Sequence, residues 1–89
     1  MNQTAGRALI IVNDPGMREQ CAATLRGAGF AVEAPARPPE AMAILERRSF
    51  DLVLLDASQP DVDGLGLLAE LRHAGVRAPI LLISGAISL

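Results

Sequence analysis

An apolar run in this chain ends in a carboxylate: Leu52-Val53-Leu54-Leu55-Asp56, with Ala57-Ser58-Gln59-Pro60-Asp61-Val62-Asp63-Gly64 directly after it. An uninterrupted run of this length reads as a strand buried on both faces, hence a strand of a parallel sheet. In an open α/β sheet, ligands and chemistry collect just outside the carboxyl ends of the strands. An acidic side chain there, followed by a loop marked by Pro60 and Gly64, is placed to react rather than to fill space. The other candidates have plainer readings. Asp14 precedes Pro15 and suits a helix N-cap as well as a metal ligand. Asp61 and Asp63 fit loop solvation and an Asp-Gly turn. His73 reads as an exposed helix residue and Arg47-Arg48 as a solvated helix end. Cys21 lies at helical spacing between Met17 and Leu25 and reads as a core residue.

The elements that must hold Asp56 follow from periodicity. Leu9 to Val12 reads as a first buried strand. A helix starts at Asp14-Pro15, carries the stripe Met17, Cys21, Leu25 and Ala28, and stops at Gly29. Phe30 to Ala34 is a second strand. Pro35, Pro38 and Pro39 stiffen the next connection, and a second helix opens near Glu40 with Ala41, Met42 and Leu45 inward. Leu52 to Leu55 is strand three. Helix three starts near Gly64, turns Leu65, Leu68 and Leu71 inward, and ends near Gly75. Pro79 introduces strand four, Ile80 to Ser84. The order β-α-β-α-β-α-β implies a parallel sheet with helices on both faces and right-handed crossovers. Residues 1–6 read as a disordered tail and residues 7–89 as one domain.

Composition narrows the function classes. The 89 residues are 51% hydrophobic but only 2% aromatic, so the core must be aliphatic. The net charge is −2 with no basic block, which gives no support for direct nucleic-acid binding. No segment is long enough to span a bilayer and no signal-peptide pattern is present, so a cytoplasmic location is expected. One cysteine cannot form an internal disulfide, which suits a reducing compartment. No GxGxxG, Walker A pattern, Ser nucleophile elbow or metal-ligand cluster appears, so an enzyme is not expected.

Three segments together resemble a response regulator receiver domain, the phosphoacceptor module of bacterial two-component signalling. They are Leu9-Ile10-Ile11-Val12-Asn13-Asp14-Pro15-Gly16-Met17-Arg18, Asp51 to Leu68, and Ala78-Pro79-Ile80-Leu81-Leu82-Ile83-Ser84-Gly85. The resemblance implies a flavodoxin-like three-layer α/β/α fold. Its parallel sheet would have the order 2-1-3-4, lacking the usual last strand and helices. It further implies that Asp56 accepts a phosphoryl group from a sensor histidine kinase or phosphotransfer protein. The Ser58 carbonyl would help hold Mg²⁺, Ser84 would hydrogen-bond the phosphoryl oxygens, and Gly85 would leave access. Mg²⁺ offsets the repulsion between a carboxylate and a phosphoryl dianion, and hard oxygen ligands suit that ion.

Two departures from the family stand out. Its members carry an acidic pair at the end of strand one. The ungapped register places Val12 and Asn13 there, and it matches both strand length and helix start. A one-residue deletion would place Asn13 and Asp14 there instead. At least one carboxylate is missing in either case, so a metal site built on Asn13, Asp14, Asp56 and Ser58 is expected to be weakened. The family also places a Lys after a fifth strand, and this chain contains no Lys at all. A sheet ending at strand four would leave an edge uncovered, so self-association through it is expected. The alternative is a pseudo-receiver, a phosphorylation-independent interaction or dimerisation module.

Overall fold

The computed structural model describes residues 5–56 and 64–83. Strands and helices alternate as β1 (Gly6–Ile11), α1 (Pro15–Gly27), β2 (Phe30–Glu33), α2 (Pro38–Arg47), β3 (Leu52–Asp56), α3 (Gly64–His73) and β4 (Ile80–Ile83). Every strand pair is parallel, as the alternation of elements predicts, and the order is β2-β1-β3-β4, as the resemblance implies.

Side-chain alternation along the central strands divides the core. Leu9 and Ile11 of β1 and Val53 and Leu55 of β3 point to one face, where they meet Ala41 of α2 and Leu67 and Leu71 of α3. Ile10, Val12 and Leu54 point to the other face and pack on Ala22 of α1, with Met17, Cys21 and Leu25 around them. Two helices therefore cover one face and one covers the other, a three-layer arrangement. β1 and β3, the two aliphatic runs, fill the centre.

Helix ends are set by local chemistry. The Asp14 carboxylate accepts the Met17 N–H at 2.7 Å, so Asp14 is the N-cap of α1. α3 closes with paired bonds: Gly75 N–H donates to the Arg72 carbonyl and Val76 N–H to the Leu71 carbonyl, at 3.1 and 3.0 Å. This is a Schellman motif, and it needs Gly75 at φ 91°. Arg72 then donates to the carbonyls of Val76 and Ala78, fixing the path into β4.

Some boundaries differ from expectation. Gly6 opens β1 and pairs with Phe30, and Ala5 N–H, just before it, donates to Gly29 O at 2.8 Å. The cause is Asp51, whose carboxylate accepts the Arg7 N–H while its own N–H donates to the Arg7 carbonyl, both at 2.8 Å. In α1, Ala22 is buried and Ala28 exposed. In α3, Leu67 faces the core and Leu65 is 67% exposed, because the inward phase of the helix runs through Leu67 and Leu71. Among the described strands β4 lies at an edge of the sheet, and its Leu81 and Leu82 are 55% and 39% exposed.

Candidate functional site

Asp56 closes β3 and is only 3% exposed, the one polar or charged side chain buried among the described residues. Two sequence features place it. The apolar run ahead of it makes β3 central, and the parallel topology puts the carboxyl ends of β1 and β3 side by side. The register pairs Ile11 with Leu55, so Val12, the next residue, is level with Asp56. On its other side Asp56 pairs with Ile83 of β4.

Alternation from Leu54 turns Asp56 toward the face covered by α1. Cys21 gives an independent sign of this. Its thiol pKa is raised above the ordinary value, first by burial and then by the negative charge of Asp56. Cys21 is half-buried against the α1-side core, as its spacing predicts, and it also borders the acidic site.

Asn13 and Asp14 follow β1 and are both exposed. Asn13 comes one residue after Val12, which is level with Asp56. Asp14 is bound into the α1 cap by one carboxylate oxygen. Arg18, half-buried one turn into α1, carries a feature that spacing did not reveal. Its Nη1 donates to the carbonyls of Val12 and Asn13, both at 3.2 Å. An Arg at this point of a helix gives no sign in the sequence that it folds back over a strand end. Ser58, Pro60, Asp61, Asp63, Ser84 and Gly85 lie outside the described residues. Among the described residues, no three His, Cys, Asp or Glu side chains cluster as a metal site. His73 is exposed on α3.

Comparison with known proteins completes the picture. The family model of the response regulator receiver domain matches residues 8–89. The chain belongs to the response regulator receiver domain family. Receivers are signalling domains of the phosphorelay, and this one carries the family's flavodoxin-like sheet without the last strand among its described elements. The transcriptional activator protein PfeR of Pseudomonas aeruginosa is 38% identical over 78 residues, covering 88% of this receiver and 25% of PfeR. The chain thus spans a quarter of that relative's length. The MaeR response regulator bound to beryllium trifluoride is 28% identical, with a TM-score of 0.80 over 97% of this receiver and 70% of MaeR. The TrrA response regulator of Thermotoga maritima, solved with Mg²⁺ and a beryllium fluoride, is also 28% identical. Its TM-score is 0.77, over 88% of this receiver and 68% of TrrA. TrrA has also been solved in complex with the histidine kinase ThkA.

Proposed function

We propose that Asp56 is the phosphoacceptor of this receiver and is loaded by a sensor histidine kinase or phosphotransfer protein. A carboxylate oxygen of Asp56 forms the new P–O bond. The P–N bond to the donor's imidazole breaks, and the imidazole keeps the electron pair. The observation that carries this reading is the position of Asp56. A carboxylate is costly to enclose in an aliphatic core, yet this one ends the central strand of the parallel sheet, level with the end of β1. Family membership and the structures of TrrA with its kinase and with Mg²⁺ support the same assignment.

The residues present suit Mg²⁺ incompletely. The Asp56 carboxylate and the Asn13 amide are hard oxygen donors, and the family resemblance adds the Ser58 carbonyl. Asp14 is a further donor only to the extent that its cap leaves an oxygen available. Val12, level with Asp56, contributes a hydrocarbon side chain where a second carboxylate would add charge. Mg²⁺ supplies counter-charge for the phosphoryl oxygens when bound, and its affinity here is reduced. Ser84 hydrogen-bonds the phosphoryl oxygens in this reading, on the strength of the resemblance.

Incubation with acetyl phosphate and Mg²⁺ tests the assignment. The wild-type chain gains the mass of one phosphoryl group, sensitive to hydroxylamine, and Asp56→Asn gains none. Equal loading of the two proteins refutes it.

Two broader proposals accompany this one. Self-association runs through the β4 edge, supported by exposed Leu81 and Leu82. The protein acts in the cytoplasm without direct nucleic-acid contact. No helix among the described residues is long and apolar enough to cross a membrane.

A further inference from the structure

A phosphoryl group on Asp56 would bring close to two negative charges into the cleft. This chain has eight cationic side chains, all Arg, and all lie among the described residues. Topology sorts them. Helices in a parallel sheet run against the strands, so helix C-termini share the amino end of the sheet with strand starts. Arg7 opens β1, Arg26, Arg47 and Arg72 lie in last helical turns, Arg48 follows α2, and Arg77 precedes β4. These six sit at the end remote from Asp56. Arg37, the N-cap of α2, is also at the carboxyl end but follows β2, an outer strand, and is exposed. Arg18 alone remains at the carboxyl end beside β1.

We propose that Arg18 is a phosphoryl-binding residue of this receiver and supplies a cation to the loaded site. Its guanidinium is already held at the site by Val12, the residue level with Asp56, and by Asn13. Both bonds come from one nitrogen and both are 3.2 Å long. The two carbonyls are neutral acceptors, whereas a phosphoryl group adds an opposite charge and a bidentate fork, with N–H···O⁻ bonds of about 2.7–2.9 Å. A phosphoryl dianion therefore outcompetes the two carbonyls. On loading, the guanidinium leaves Val12 and Asn13 and forks onto the phosphoryl oxygens. Release of the β1–α1 corner accompanies that exchange, so the residue reports phosphorylation to the start of α1.

The inference rests on the phosphoacceptor reading of Asp56, and the experiment distinguishes the two. Loading by acetyl phosphate is followed by intact mass in wild type, Arg18→Gln, Arg18→Lys and the control Arg26→Gln. Arg18→Gln loads about tenfold or more slowly, Arg18→Lys regains much of the rate, and Arg26→Gln matches wild type. In the wild-type protein, the Arg18 side-chain nitrogen resonances shift on loading, a readout that needs no variant to fold. Wild-type rates in Arg18→Gln, or unmoved Arg18 resonances in the loaded protein, overturn the role of Arg18 and leave Asp56 standing. Failure of wild type to load overturns both.

Discussion

At the residue scale, single substitutions test the environments of Asp14 and Cys21. Asp14 looked equally suited to capping and to metal binding in the sequence, because a carboxylate before Pro15 serves either. The structure shows the cap, through the 2.7 Å bond from Met17 N–H. Ser also caps well, so Asp14→Ser should keep thermal stability within about 0.5 kcal/mol, whereas Asp14→Ala should lose about 0.5–2 kcal/mol. Mg²⁺ titration of Asp14→Ser separates the two roles: an unchanged affinity assigns Asp14 to the cap alone, and a large loss assigns it to the metal site as well. Cys21 reports on Asp56. Burial raises its thiol pKa first and the Asp56 charge raises it further. Asp56→Asn removes the second cause, so alkylation of Cys21 at mildly alkaline pH should be a few-fold faster than in wild type. The sign for stability follows from the same shift. The folded state holds the thiol proton more tightly, so this contribution is complete below the ordinary thiol pKa of about 8.5 and is lost as pH rises through the higher folded value. The proximity of Cys21 to Asp56 could not be read from helical spacing, which gives the face of a helix but not which strand end lies beneath it.

At the element scale, the aliphatic runs and glycine stops were legible because each has a local cause. Leu9-Ile10-Ile11-Val12 and Leu52-Val53-Leu54-Leu55 are hydrophobic on both faces and became the two central strands. Gly29 and Gly75 both adopt positive φ after a helix, as stop signals should. The start of β1 was not legible, since Ala5-Gly6-Arg7 carries no strand signal. It is fixed instead by Asp51, 44 positions away in sequence. Gly6 sits at φ 124°, and a Cβ there would run into the Asp51 carboxylate. Gly6→Ala is accordingly expected to destabilise the fold by about 1–3 kcal/mol in chemical denaturation. Leu65 was misplaced for a related reason. Gly64-Leu65-Gly66-Leu67-Leu68 allows more than one inward phase, and packing on β3 selected Leu67 and Leu71.

At the scale of the whole molecule, the described elements bury the centre of the sheet and leave Leu81 and Leu82 of β4 exposed. Leu55 is fully buried, and Leu55→Ala should cost about 2–5 kcal/mol. Leu81 is 55% exposed, so Leu81→Glu should change stability by no more than about 0.5 kcal/mol. If the β4 edge mediates self-association, the same substitution shifts the chain toward monomer in light scattering, while unchanged mass at high concentration argues against that edge. The alternation of strands and helices and the place of Asp56 at the end of a central strand could be read from the sequence, because both rest on local apolar runs and their ends. The fold-back of Arg18 onto the carbonyls of Val12 and Asn13 could not, since it depends on how α1 lies over the end of β1. The central claim is that one buried carboxylate at the mouth of β3 takes the phosphoryl group. Borohydride reduction after acetyl phosphate loading tests it most directly, because it converts an acyl phosphate to a primary alcohol that peptide mapping can locate. Homoserine at position 56 is the expected result; the alcohol at Asp14, Asp51 or another carboxylate, or at none, would contradict it.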